Sequence, residues 1–127
     1  MRINTKKIFY YILFSHLILW TVIPSILNEN LPLDTIEGLV WGNELKFGYD
    51  KYPPIFPLFT ELFFKFFGNQ DWAYYLLSQL FVVSCFLVLF NFSKYFLKNE
   101  IHSLLSVLLL ECIYFFNYTT PELNAFI

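Results

Sequence analysis

Charged residues are scarce in this sequence. Only 14% of its residues are Asp, Glu, Lys or Arg, whereas an ordinary soluble domain carries about 25%. The few basic residues are spread along the chain, and no Gly-rich or RNP-like segment is present. Nothing therefore offers a nucleic acid the basic surface that it needs, and nucleic acid is not expected as a partner.

Cysteine and histidine are also few. Cys85 and Cys112 lie in apolar stretches, where single thiols act as small apolar side chains more often than as disulfide or metal partners. His16 and His102 are isolated, and the sequence has no CxxC, HExxH, GxSxG or phosphate-loop pattern. These absences remove the usual support for a hydrolase or metalloprotease, and no metal site is predicted.

Apolar residues are abundant, at 57% of the chain, with aromatic residues at 23%. They form three blocks long enough to cross a bilayer, which predicts an all-α membrane protein with three transmembrane helices. The first block lacks a small-residue cleavage site, so we interpret it as an uncleaved anchor. The predicted segments are a cytoplasmic amino terminus (1–7), transmembrane helices (8–27, 73–97 and 101–118), an external loop (28–72), a cytoplasmic turn (98–100) and the start of a second external loop (119–127).

The orientation follows from the basic residues. Arg2, Lys6 and Lys7 precede the first block, and Lys94 and Lys98 end the second. Because positive charge stays on the cytoplasmic side, we expect a cytoplasmic amino terminus in a multi-pass protein of the plasma or inner membrane. The lipid bilayer is the first expected partner.

The external loop is acidic, with seven carboxylates against three lysines. Helical spacing of apolar residues predicts one amphipathic helix over 33–47 and a second over 56–67, each ended by a glycine. We expect both helices to lie along the membrane surface. Asp34, Glu37, Trp41 and Glu44 project from a face of the first helix different from its apolar face.

Asp34 has two interpretations. Asp34-Thr35-Ile36-Glu37 matches a capping box, in which both carboxylates satisfy free helix N–H groups, and the pattern alone favours this structural role. An outward carboxylate at the membrane surface is also placed to accept a proton from a hydroxyl or to hold a cation. No cofactor can be assigned from the sequence, and a divalent metal ion stays open.

Two runs carry a resemblance to a known family. LPLDTIEGLVWG at 31–42 followed by GYDKYPPIFP at 48–57 resembles the first external loop of polyprenyl-phosphate-sugar-dependent glycosyltransferases, the group of protein O-mannosyltransferases and aminoarabinose transferases. The sequence departs from the commonest pattern at Thr35, where an acid is frequent, and at Tyr52, which separates the lysine from the prolines.

The resemblance implies roles for individual residues. It makes Asp34 the main catalytic carboxylate, Asp50 a second acid of the site and Lys51 a ligand of the lipid phosphate. Glu37 and Trp41 would help to bind substrate. For Lys51, anchoring of the loop at lipid headgroups is an equally good alternative.

The implied activity is transfer of a sugar from a polyprenyl phosphate donor to an external glycolipid or protein acceptor. Because three spans cannot enclose the donor site of this family, we expect an amino-terminal part that is inactive alone. A non-enzymatic small membrane subunit or a decayed gene fragment is the alternative. Glu111 lies within the third predicted span, where a charge costs about 2.5–3.5 kcal/mol, so we expect an interhelical contact there more than a catalytic role.

Overall fold

The computed structural model describes residues 4–44, 46–51 and 53–123, and it confirms the all-α class. The described residues contain five α-helices, one 3₁₀ turn at Tyr114–Phe116 and no strand. Arg2, Tyr52 and the tail 124–127 lie outside this range. The helices are α1 (Thr5–Leu27), α2 (Leu33–Gly42), α3 (Ile55–Phe67), α4 (Asp71–Leu97) and α5 (Glu100–Glu111).

Helices α1, α4 and α5 form an antiparallel bundle. Phe9, near the start of α1, stacks on Phe90, near the end of α4, with 4.0 Å between the ring centroids. Their apolar core is completed by side chains from all three helices, among them Leu13, Val82, Phe86 and Val107. Most of the remaining large apolar side chains of α1 point outward, as lipid-facing side chains would.

The two ends of this bundle differ in charge. At the basic end, the ammonium group of Lys94 lies 2.7 Å from the Glu100 carboxylate, and that of Lys6 lies 3.7 Å from it. The tight turn between α4 and α5 passes through Lys98, which adopts a left-handed conformation with φ of 50°. At the opposite end, the Asn28 amide donates to the Tyr75 hydroxyl over 3.1 Å. The hairpin of α2 and α3 lies at this end, which we call the hairpin end.

Helices α2 and α3 form a hairpin seated on the first turns of α4. Its contact is set by two glycines, because a Cβ at Gly42 would lie 2.5 Å from the Pro57 carbonyl oxygen, and one at Gly38 would lie 2.6 Å from the Phe56 ring. Phe56 in turn packs on Leu77 of α4. The residues predicted as the second amphipathic helix form α3, which starts one position earlier and ends before Gly68, whose φ is 63°.

Helix α2 is shorter than its sequence predicts. The pattern indicates a helix over 33–47, but the structure ends it at Gly42, with Asn43 as the following cap. The apolar periodicity continues past this point, whereas glycine and asparagine are poor helix formers and the close approach to α3 turns the chain away. Residues 46–51 then fold back along α2.

The third apolar block differs most from its predicted structure. A helix over 101–118 is predicted, whereas α5 ends at Glu111 after 12 residues, a length of about 18 Å. Residues 112–123, here called the strap, form successive turns that lead from the end of α5 to the hairpin end. The Asn117 amide donates to the Glu111 carbonyl oxygen over 2.5 Å and so occupies a free group at the helix end. Turn-forming Asn, Thr and Pro residues in the strap oppose further helix.

Candidate functional site

Asp34, Glu37 and Lys51 meet at the hairpin end. The Lys51 ammonium group lies 2.6 Å from a Glu37 carboxylate oxygen and 3.6 Å from an Asp34 carboxylate oxygen. All three side chains keep part of their surface open, with 25% of the Asp34 side chain exposed and 52% of the Lys51 side chain. The structure therefore joins three of the sequence-predicted site residues in one accessible group of charges.

Asp34 is not the helix cap that its sequence context favours. Helix α2 begins one residue earlier, at Leu33, and Pro32 occupies the cap position without a side-chain hydrogen bond. Asp34 therefore lies inside the first turn, where the helix dipole favours a negative charge. Its carboxylate turns toward Lys51, so the capping-box interpretation is wrong and the charge serves a contact across the loop.

Trp41 lies two turns further along α2. Its ring stacks on Tyr49 with centroids 5.7 Å apart and an angle of 5° between the planes. The Tyr49 hydroxyl oxygen accepts a hydrogen bond from the backbone N–H of Lys46, which fixes the returning loop. The loop thus supplies an aromatic ring beside Trp41 and an ammonium group beside Glu37.

Asp50, the other predicted catalytic acid, is exposed next to Lys51. Its charge acts on Lys46. The hydrogen bond and charge of Glu44 raise the pKa of Lys46 above its usual value, and Tyr49 and Asp50 add to that effect. In the described part of the chain, no group of three or more His, Cys, Asp or Glu side chains is arranged to hold a metal ion.

An open cavity of about 510 Å³ lies beside the start of α2. One wall is the second half of α1, the other is the strap, and Pro32 closes one side. The lining combines aromatic rings with a few polar groups, among them Trp20, Asn28, Tyr118 and Glu122. Such a mixture suits a ligand that has both an apolar and a polar part.

A second cluster of polar side chains lies inside the bundle, and of its members the sequence analysis singled out only Glu111 for a contact. His16 is 3% exposed; its Nδ1 lies 2.8 Å from Glu111 Oε1 and its Nε2 lies 3.0 Å from Gln79 Oε1. The Gln79 amide also donates to the Thr120 hydroxyl over 3.0 Å. Glu111 was expected to make an interhelical contact and does so. An amide or imidazole inside an apolar stretch was the available signal for Gln79 and His16.

In the part of the chain that the structure describes, two helices, α1 and α4, are long and apolar enough to cross a membrane. The model of the dolichyl-phosphate-mannose-protein mannosyltransferase family matches residues 51–126, which include Lys51, α3, α4, α5 and the strap. Asp34, Glu37, Trp41 and Asp50 precede the matched residues. No curated protein and no solved structure matches the chain. Because the family model matches more than half of it, this chain belongs to the dolichyl-phosphate-mannose-protein mannosyltransferase family and is a mannosyltransferase-like membrane protein.

Proposed function

We propose that this chain serves the transfer of a sugar from a polyprenyl phosphate donor to a hydroxyl or phosphate of an external glycolipid or protein. The observation that carries the proposal is the placement of the Lys51 ammonium group between the carboxylates of Asp34 and Glu37. A family defined by a lipid-phosphate sugar donor needs a cation for the phosphate and a base for the acceptor. The hairpin end offers both groups, because the Lys51 ammonium group lies next to the Asp34 carboxylate.

The proposed orientation places the hairpin end outside. Lys6, Lys94 and Lys98 share the basic end, which belongs on the cytoplasmic side by the positive-inside rule. The chain then crosses three times, the third time through α5 and the strap. Irregular backbone at membrane depth is tolerated where protein covers it, and several N–H groups of the strap, among them those of Phe116, Thr120 and Glu122, bond to carbonyl groups within its own turns.

In the proposed reaction on a hydroxyl acceptor, Asp34 accepts the hydroxyl proton while the acceptor oxygen forms a bond to the anomeric carbon. The bond between that carbon and the phosphate oxygen breaks, and the phosphate leaves with the electron pair. Lys51 offsets the negative charge on the departing phosphate. Glu37 holds Lys51 in place until the donor arrives, and Asp50 adds a second acid at the rim.

The donor would approach from the bilayer. The cavity beside Pro32 is lined largely by apolar and aromatic groups, as an isoprenoid chain requires, and it opens next to the first turn of α2. The half-buried ring of Trp41 offers an apolar surface to the sugar. Exposed apolar side chains of α3, such as Ile55, Phe59 and Phe66, are proposed to seat the hairpin on the membrane surface.

Donor binding tests this proposal on the chain as it stands. The purified protein in lipid nanodiscs is titrated with a photoreactive polyprenyl phosphate, and the labelled fraction gives an apparent Kd. Lys51→Gln removes a charge-assisted contact and should weaken binding about tenfold. Lys46→Gln is the matched control, because it removes the same charge from the same loop at a lysine that pairs with Glu44.

Comparison of the two variants distinguishes a specific phosphate site at Lys51 from general electrostatic attraction of the donor to the loop. Equal binding by both variants, whether unchanged or equally weakened, would contradict a specific role for Lys51. A parent chain that shows no saturable labelling would contradict the proposed function as a whole.

A further inference from the structure

The hydrogen bonds around His16 have only one consistent direction. The Thr120 hydroxyl donates to the Asn117 carbonyl oxygen over 2.7 Å, so it must accept from the Gln79 amide nitrogen. Gln79 therefore turns its oxygen toward His16, and Nε2 of His16 must donate to it. The other ring nitrogen faces Glu111 Oε1, and one proton lies between them. The four side chains thus form a directed chain of hydrogen bonds.

This chain of bonds ends on the strap. Gln79 holds the Thr120 side chain, and the neighbouring Ser78 hydroxyl donates to the Thr120 carbonyl oxygen. Both Ser78 and Thr120 are fully buried. Gln79 therefore holds Thr120 through its side chain, and the adjacent Ser78 holds it through its backbone.

The strap in turn touches both helices of the hairpin. Leu123 is 1% exposed and packs against Phe56 of α3 and Leu77 of α4. Its carbonyl oxygen accepts a hydrogen bond from Thr35 over 3.3 Å, and Thr35 directly follows Asp34 in α2. Two residues of the strap, Pro121 and Glu122, separate Thr120 from this contact.

The arrangement is unfavourable for the bundle on its own. Glu111 ends α5, where the helix dipole disfavours a carboxylate, and its second oxygen is buried without a hydrogen-bond partner among the described residues. Apolar residues in place of the whole His16–Glu111 pair would avoid both penalties. The presence of a polar network at this position points to a role other than stabilising the bundle.

We propose that His16, Gln79, Glu111 and Thr120 are positioning residues that hold the α2–α3 hairpin, and with it Asp34, at the outer end of the bundle. They act through the strap and do not contact substrate. The role of Asp34 rests on the proposed function, whereas the position of the hairpin is a property that can be measured without a sugar donor.

Amide hydrogen exchange of residues 33–42 in nanodiscs, followed by mass spectrometry, measures how often the hairpin opens. Thr120→Val keeps the side-chain shape but removes the hydroxyl, and we expect exchange to rise about fivefold, the equivalent of about 1 kcal/mol for one hydrogen bond. Thr120→Ser keeps the hydroxyl and should restore protection. Thr119→Val is the matched control, because among the described residues the Thr119 hydroxyl bonds within the strap, to the Phe115 carbonyl oxygen.

Gln79→Leu provides a second route to the same result, and protection of α1 reports whether each variant folds. Unchanged exchange of 33–42 in Thr120→Val would overturn the proposal, as would an equal rise in Thr119→Val. Failure of the donor-binding experiment leaves this readout unaffected, so the two proposals can fail separately.

Discussion

The imidazole of His16 and the carboxylate of Glu111 lie 2.8 Å apart although 95 positions separate them in the chain. Helix α1 contributes the ring and the last residue of α5 contributes the carboxylate, so this contact joins the first and third helices of the bundle. It also explains how a carboxyl group is accommodated inside an apolar bundle, since His16 and one shared proton make the pair neutral as a whole.

Truncation of Glu111 should destabilise the bundle. Glu111→Ala leaves the Nδ1 atom of buried His16 without its partner, and the free energy of unfolding should fall by about 1–3 kcal/mol. Glu111→Gln can donate its amide to the same nitrogen and should lose less. Unfolding in mixed detergent micelles measures both values, with exposed Glu122→Ala as the control. Equal stability of all three variants would show that the His16 contact contributes nothing.

The two glycines of α2 should not tolerate a methyl group. In Gly42→Ala the new Cβ would lie 2.5 Å from the Pro57 carbonyl oxygen, and because backbone cannot move aside easily, we expect a loss of about 1–3 kcal/mol. Gly48→Ala is the matched control, since a Cβ there meets no atom within 4 Å. Thermal unfolding compares the two. A Gly42 variant as stable as the Gly48 variant would argue against close packing of α2 on α3.

Asp34→Asn should keep the fold and abolish most sugar transfer. Asp34 makes no cap that the substitution could break, and asparagine has nearly the same shape but cannot accept a proton as a base. A general base contributes about 10² to 10⁴ in rate, so transfer from a radiolabelled polyprenyl phosphate sugar should slow at least about a hundredfold when the substitution is made in a complete family member that carries this loop. Donor binding should be retained, because a negative charge near the phosphate is lost. Near-normal transfer would leave Asp34 with a structural role only.

The proposed orientation can be tested by labelling. In a background of Cys85→Ala and Cys112→Ala, a cysteine introduced by Asn69→Cys should react with a membrane-impermeant thiol reagent in intact cells, because Asn69 lies in the exposed turn between α3 and α4. Lys7→Cys, at the basic end, should react only after lysis. The reverse pattern would invert the topology and place the Asp34 site on the cytoplasmic side.

The sequence by itself determined the helical class and the two long apolar helices. Helical periodicity and hydropathy are properties of neighbouring residues, so α1, α4 and most of α3 begin and end within a few residues of their predicted bounds. The resemblance of the loop to the glycosyltransferase family singled out Asp34, Glu37 and Lys51 as residues of interest. It could not say that they meet, because Glu37 and Lys51 are 14 positions apart and only the return of the loop along α2 brings them together.

Tertiary structure decided where α5 stops, why Asp34 is not a cap, and which polar side chains share a site. Each outcome depends on a partner distant in the chain: His16 for the end of α5, Lys51 for Asp34, and Gln79 for Thr120. In an apolar bundle a polar group without a partner costs far more than a poor local helix propensity. The packing that supplies those partners therefore overrides the apolar pattern, which on its own predicts a straight helix through Glu111.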